Sequence, residues 1–486
     1  MEGKESRPGG DFTSSAGEAQ KARPAPHWLE LGEGFSDVVA PARFPKHRLR
    51  FRNQRWADEI GLGALDAAAW EKHFAAFAPL PENLPAAHAV RYHGHQFRSY
   101  NPELGDGRGF LFAQLRCPEG RLLDLATKGS GQTPWSRQGD GRLTLKGGVR
   151  EVLATEMLEA LGVYTSKSFS LFETGESLMR GDEPSPTRSS VLVRLGHSHI
   201  RFGCFQRLRA LDEKDKLRRL LDYAVQYYAP EVADAQDVPA AFLAEVVGRS
   251  ARLCATWMAA GFVHGVLNTD NMNVTGESFD YGPFRFLPHY DASFTAAYFD
   301  QNGLYAYGRQ PDAVFWNLQR LAETLIDLTS EDVLRRALDS YPQDFFREYR
   351  EALLRRLGLV PEGDERDMDF LSLLRAFLQE SRIGYDQFFF DWWGGAASAA
   401  RARLSPAAEL YTTTSFAPLR TALESYAPSA TERLADPYFT TPEPCALLID
   451  EIESIWSAIA ERDDWQPFEA KIASIRRMAQ ATTVSP

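Results

Sequence analysis

The amino-acid sequence predicts an α+β protein in which a β-rich lobe precedes a helical lobe. Up to about residue 209, short apolar runs alternate with glycine and proline turns, the pattern of strands and hairpins. From about residue 210 the apolar positions recur at helical spacing over long segments. The 486 residues exceed one ordinary core, and 44% apolar with 25% charged residues suffices to bury more than one.

Residues 1–26 carry no apolar segment for a signal peptide, and Glu2, Glu5, Asp11 and Glu18 argue against a mitochondrial leader, so this stretch reads as a disordered tail. Residues 27–209 then read as an N-terminal extension plus the β-rich lobe. In it LDAAAWEKHFAAFAPL predicts a helix ending before Pro81. The glycine loop Gly105-Asp106-Gly107-Arg108-Gly109 is followed by FLFAQLR, a CPEG turn and RLLDLATK, which predict two strands joined by a tight turn. Val149, Leu153, Met157 and Leu161 recur every fourth residue, predicting a helix over 146–161 that stops at Gly162. Strands are predicted for VYTSKSFSLFE, SSVLVRLG and IRFGCFQRL. Residues 210–480 form the helical lobe, with helices over LDEKDKLRRLLDYAVQYYA, FLAEVVGRSARLCATWMAAG, PDAVFWNLQRLAETLIDL, SEDVLRRALDSY, QDFFREYREALLRRLGL and DEIESIWSAIAERDDW.

Composition narrows function. A net charge of −12 and a pI near 5.5 argue against a sequence-independent grip on nucleic acid, which needs a dense basic face. Cys117, Cys204, Cys254 and Cys445 lie far apart and form no CxxC pair, so neither a disulfide framework nor a zinc cluster is indicated. No run of about 18 apolar residues is present. These features predict a cytoplasmic protein that engages neither membrane nor nucleic acid.

The order of chemistry-bearing residues is more specific than any one of them. A glycine loop lets backbone N–H groups approach phosphate oxygens. After it come a strand bearing Lys128, a helix bearing Glu151 and, in the helical lobe, loops carrying Asn271 and Asp280. A strand lysine fixed by a helix glutamate beside a glycine loop is the kinase arrangement for nucleotide phosphates. The stretch HGVLNTDNMNVTGESFDYG (264–282) tests it. His264, Gly265 and Asn271 match HGD-x-x-x-x-N, but Val266 occupies the position of the catalytic aspartate and can neither take a proton nor bind a metal. Asp270 supplies a carboxylate one residue before Asn271, and Asp280-Tyr281-Gly282 resembles the metal-binding Asp-Phe-Gly. GDGR recurs at 139–142, but strands follow the first copy and a helix the second, so it is not a structural repeat. His93 with His95, and His197 with His199, lack a convincing third ligand and read as structural or substrate-proximal.

YHGHQF, GDGR, TKGSGQTPWSRQGDGRLTLKGGVRE, HGVLNTDNMNVTGESFDYGPF and YGRQP-x5-NL-x-RLAE resemble the selenoprotein O family, also called YdiU, through most of residues 90–325. The resemblance implies a bilobal pseudokinase fold with ATP turned so that its α-phosphate faces the acceptor. It implies transfer of AMP from ATP to Ser, Thr or Tyr hydroxyls of proteins, with Mg²⁺ or Mn²⁺, and, among bacterial members, UMP transfer with Mn²⁺. Carried onto this sequence, Gly105, Gly107, Arg108, Lys128, Asp140, Gly141, Arg194, Arg201 and Asp280 would contact nucleotide. Glu151 would position Lys128, Asp270 would be the general base, and Asn271 with Asp280 would hold metal. An ATP phosphotransferase and a silent nucleotide-binding scaffold are the competing readings; Val266 counts against the first and the retained Asp270, Asn271 and Asp280 against the second. Two departures stand out: no cysteine follows Cys445, and Arg98 stands where the family usually has glycine.

Overall fold

The structure is a computed structural model that describes residues 22–181 and 183–483. Most of the tail expected over 1–26 lies outside the described residues. Its last part does not behave as a tail, because Arg23 and Pro24 already pair with Arg116 and Leu115 and Ala25 is buried.

The strands are β1 (Arg23–Pro24), β2 (Ser36–Val39), β3 (Arg48–Arg52), β4 (Ala87–Val90), β5 (Gly94–Gln96), β6 (Ser99–Asn101), β7 (Leu111–Arg116), β8 (Leu122–Lys128), β9 (Leu143–Thr144), β10 (Lys167–Leu178), β11 (Thr187–Gly196), β12 (Phe262–Val263) and β13 (Arg285–Phe286). A nine-stranded antiparallel sheet runs β2-β4-β7-β8-β11-β10-β3, with β1 on β7 and β9 on β11. The short helices α1 (Gln54–Glu59) and α2 (Ala67–Phe74) cover one face, where Trp70 and Phe74 pack with Phe112, Leu123, Phe169, Val191 and Val193. The other face meets α3 (Leu145–Ala160), against which Leu111, Leu171 and Leu192 turn. Because both faces are covered, β8 is buried along its whole length.

The remaining helices are α4 (Phe202–Ala210), α5 (Lys214–Tyr228), α6 (Val238–Ala259), α7 (Gln310–Thr324), α8 (Glu331–Asp339), α9 (Tyr341–Arg356), α10 (Asp364–Ser381), α11 (Tyr385–Asp391), α12 (Ala399–Ala402), α13 (Ala417–Leu423), α14 (Ile449–Arg462) and α15 (Gln466–Thr482). α6 is the axis of this half, with α7, α8 and α9 packed along it. The α14–α15 pair returns to the sheet-bearing half: Arg476 on α15 donates to Glu156 on α3 through Nε and Nη2, both at 2.8 Å, and Lys146 pairs with Glu453 at 2.7 Å.

Three sequence expectations change. IRFGCFQRL is not a strand, because Phe202, Phe205 and Leu208 recur every third residue and bury one helical face as α4. The helix expected to reach Leu80 ends at Phe74, where Phe77 takes φ +55° ahead of Pro79. The strand predicted to begin near Val163 begins at Lys167. No helix among the described residues is long and apolar enough to cross a membrane.

The start of α3 is set by Thr144, whose Oγ accepts the Gly147 N–H at 3.1 Å, and its end by Gly162 at φ +77°. Thr144→Ala removes that cap and is expected to lower stability by about 1 kcal/mol in urea denaturation.

Candidate active site

The antiparallel register fixes the first part of the site. Leu192 lies opposite Lys128 and Arg194 opposite Ala126, so Lys128 and Arg194 leave the sheet on the face that meets α3. There Lys128 Nζ donates to Glu151 Oε2 at 2.6 Å and to Asp280 Oδ1 at 2.5 Å. Arg194 Nη1 lies 3.3 Å from the other Glu151 oxygen and 3.6 Å from Asp280 Oδ1. Arg201, at the start of α4, donates to the Asp270 carbonyl at 2.9 Å and lies 3.4 Å from Asp106 and 3.9 Å from Asp280. Its guanidinium stacks on Tyr92 and Phe279 at 4.6 and 4.8 Å. Arg194 and Arg201 are both buried, which rules out a surface ion pair as their purpose.

The loop 264–282 brings the remaining groups. Asp270 and Asn271 occupy a short 3-10 turn, and Asn271 Nδ2 donates to the Val266 carbonyl at 2.8 Å. His264 ties the loop together: its N–H donates to Gln310 and its Nε2 lies 3.2 Å from the Phe279 carbonyl. A hairpin made of β5 and β6 supports the turn from outside, with the His95 N–H on Thr269 Oγ at 2.7 Å and the Phe97 N–H on Asn268 Oδ1 at 3.1 Å. Gly94 in that hairpin has a local reason, since a Cβ there would come within 3.1 Å of Asp270 Oδ1. Its two turn residues, Phe97 and Arg98, take φ +50° and +65°. Arg98 thus sits in the left-handed region that glycine adopts freely, with its guanidinium 5.6 Å from the Trp316 ring.

The two GDGR segments are sewn into one rim. Thr133 Oγ donates to the Asp106 carbonyl at 2.6 Å, Ser136 Oγ to the Gly107 carbonyl at 2.5 Å, and the Gly131 N–H to the Gly141 carbonyl at 3.1 Å. Gly141, at φ +69°, approaches the 131–132 backbone so closely that a Cβ would lie 2.2 Å from Gly131 carbon. Asp140 stands at the outer edge, paired with Arg180 at 2.7 Å.

All of these surfaces enclose one cleft of about 740 Å³, lined by Gly105, Gly107, Arg108, Lys128, Asp140, Gly141, Arg194, Arg201, Asp270, Asn271 and Asp280. Glu151 lies behind it, reached through Lys128. Residues that sequence reasoning gave no role also line it: Asp106, Trp135, Arg137, Arg142, Arg180 and Asn268. Asp106 stands inside GDGR and Arg137 three residues before Asp140, so both lay within quoted motifs without a chemical signal of their own.

Seven cations (Arg108, Lys128, Arg137, Arg142, Arg180, Arg194, Arg201) face four carboxylates (Asp106, Asp140, Asp270, Asp280) in a chain of net charge −12. Burial opposes ionisation of Asp280, but Lys128, Arg194, Arg201 and Arg108 outweigh it and hold the carboxyl well below the usual range. At Asp270 burial wins over Arg201 and pushes the carboxyl up to about 6; its Oδ1 is buried without a hydrogen-bond partner. Each histidine of the two pairs has its own neighbour in the protein, His93 with Tyr100 at 2.7 Å, His95 with Gln206 at 2.8 Å, His197 with Tyr164 at 2.6 Å, and His199 beside Asp106 at 3.6 Å.

A cleft lined mainly by cations, with a buried carboxyl oxygen that has no donor, is the setting that suits an anionic, phosphate-bearing ligand. The chain belongs to the family described as protein adenylyltransferase SelO, whose profile matches residues 18–476. It is 45% identical over 463 residues to the protein nucleotidyltransferase YdiU of Gloeobacter violaceus, covering 93% of this chain and 94% of the relative. The protein of the same name from Trichodesmium erythraeum is 44% identical, covering 90% and 95%, and that from Synechocystis 43%, covering 92% and 96%. The similarity therefore extends well past residues 90–325 into both ends.

A smaller chamber behind Arg194 and Arg201 holds Asp124 and Glu277, both pushed up to about 7 by burial. Each binds its proton more tightly in the folded chain, so this contribution to stability is complete below their unfolded values of about 4 and is lost as pH rises to about 7. Asp124→Asn and Glu277→Gln are each expected to flatten that pH dependence and to raise stability at pH 8 by on the order of 2 kcal/mol, read by urea denaturation.

Proposed function

We propose that this protein transfers AMP from ATP to Ser, Thr or Tyr hydroxyls of acceptor proteins, on a kinase-like fold with the nucleotide turned so that its α-phosphate faces the acceptor. Family membership supports nucleotidyl transfer. The observation that carries the mechanism is the buried, unpartnered Oδ1 of Asp270 at the edge of a cationic cleft. Val266 offers no carboxylate in the ordinary kinase register, so proton removal falls to Asp270.

In this reading the triphosphate lies among Lys128, Arg108, Arg194 and Arg201. Asp270 takes the proton of the acceptor hydroxyl as the oxygen bonds to the α-phosphorus, and the bond from that phosphorus to the bridging oxygen of the β-phosphate breaks. The displaced pyrophosphate carries the negative charge that the arginines neutralise. Glu151 keeps Lys128 in place, and the glycine rim with Asp140 and Gly141 borders the outer part of the nucleotide.

The residues present fit a divalent cation. Asn271 commits its Nδ2 to Val266, leaving its Oδ1 without a protein donor among the described residues, and Asp280 is ionised. Asn271 and Asp280 would hold Mg²⁺ or Mn²⁺ together with phosphate oxygens, the few-ligand arrangement usual for such ions. Bound there, the ion would supply positive charge to the transferring group.

Incubating the protein and an acceptor with ATP labelled at the α- or γ-phosphate, with Mg²⁺ or Mn²⁺, tests the reading; UTP with Mn²⁺ tests UMP transfer. Label is expected from the α position alone, and label from γ alone would mean a kinase. Asp270→Asn and Asp280→Ala are each expected to reduce α-label transfer at least about 100-fold, and full activity in either would sink the site assignment. Gly94→Ala, which crowds the Asp270 carboxyl, is expected to lower kcat about tenfold while leaving the KM for ATP within about twofold.

A further inference from the structure

A second cavity, of about 120 Å³, lies at the far end of the helix that carries Glu151. Its space exists because small side chains stand where three helices converge: Ala160 on α3, Ala259 on α6 and Ala352 on α9. Much of the remaining wall is aromatic, with Phe389, Trp393 and Phe439 contributing rings. Dry apolar cavities of about 150 Å³ accept a benzene molecule, so this one suits a single ring.

The polar lining comprises Arg355, Arg356 and Asp386 together with Thr256, Thr482 and Thr483. Arg356 is fully engaged within the protein: it pairs with Asp386, donates to the Ala259 carbonyl and stacks on Tyr385 and Phe389 at 5.0 and 4.4 Å. Its neighbour Arg355 also borders the cavity, is exposed, and has no ion pair or side-chain hydrogen bond among the described residues. A guanidinium that has no partner among the described residues and borders a largely apolar, ring-sized cavity matches one ligand chemistry, a flat apolar body ending in a carboxylate.

We propose that this cavity binds a small aromatic carboxylate, with its ring among Phe389, Trp393 and Phe439 and its carboxylate on Arg355. The occupant would touch the last turn of α3 and brace the helix that holds Glu151 against Lys128. Binding at this cavity requires no nucleotidyl transfer.

The test is ¹⁹F NMR titration of the full chain with 4-fluorobenzoate, and with 4-fluorotoluene as the neutral probe. Saturable binding of 4-fluorobenzoate is expected, at least tenfold tighter than that of 4-fluorotoluene. Arg355→Gln, a surface change, is expected to weaken it at least tenfold. Ala352→Leu, which fills the cavity, is expected to abolish binding of both probes. Absence of saturable binding to the unaltered chain would overturn the proposal, as would equal affinity for the two probes or unchanged affinity in Arg355→Gln. If Ala352→Leu does not fold, the Arg355→Gln comparison decides.

Discussion

The structure turns on the ammonium of Lys128. It is buried, and an unpaired buried cation costs several kcal/mol, so it must find carboxylates. It finds two, Glu151 from α3 and Asp280 from the loop after Asn271, at 2.6 and 2.5 Å. Sheet, helix and loop therefore have to be correctly placed at once. Asp280 reaches this position from a left-handed backbone at φ +64°, a local cost that the ion pairs with Lys128 and the neighbouring arginines offset. Each of the three elements is further secured by packing of its own: β8 by strands on both sides, α3 by the sheet and α15, the loop by His264 and the β5–β6 hairpin.

A chain with an excess of acidic residues nevertheless concentrates cations in one place. Concentrating like charges is tolerable here because Glu151, Asp106 and Asp280 interleave with Lys128, Arg194 and Arg201. The resulting network is preorganised for anionic charge, and that charge can develop inside it without rearranging protein dipoles. Asp270 is the exception within the network, its Oδ1 buried and without a donor.

Much of this arrangement was legible in the sequence, because strand, helix and loop signals around Lys128, Glu151 and Asp280 are local. The span predicted for α3 and the strands at Leu111–Arg116 and Leu122–Lys128 lie within a residue or two of those observed. What periodicity did not give was long-range partnership. Arg201 was expected on a strand, yet it opens a helix, since a short apolar run with three-residue spacing fits either element until its packing is known. The YHGHQF segment carries no local sign that it forms a hairpin under the Asp270 turn, because that role rests on contacts with residues more than 170 positions away. Nor does any local signal reveal that the two GDGR segments share one rim, because Gly131, Thr133 and Ser136 between them supply the stitching.

The return of α15 onto α3 has a temporal side. Glu156 is nearly fully buried and its guanidinium partner Arg476 lies 320 residues further along the chain. At typical elongation rates that separation is roughly 15–65 s of synthesis, during which β10, β11 and the loop bearing Asp270 emerge while Glu156, made after Lys128, waits for its counter-charge. The helix that orients the lysine is braced only after nearly everything else has been made, so a growing chain carries every residue of the cleft before it carries the strut behind it.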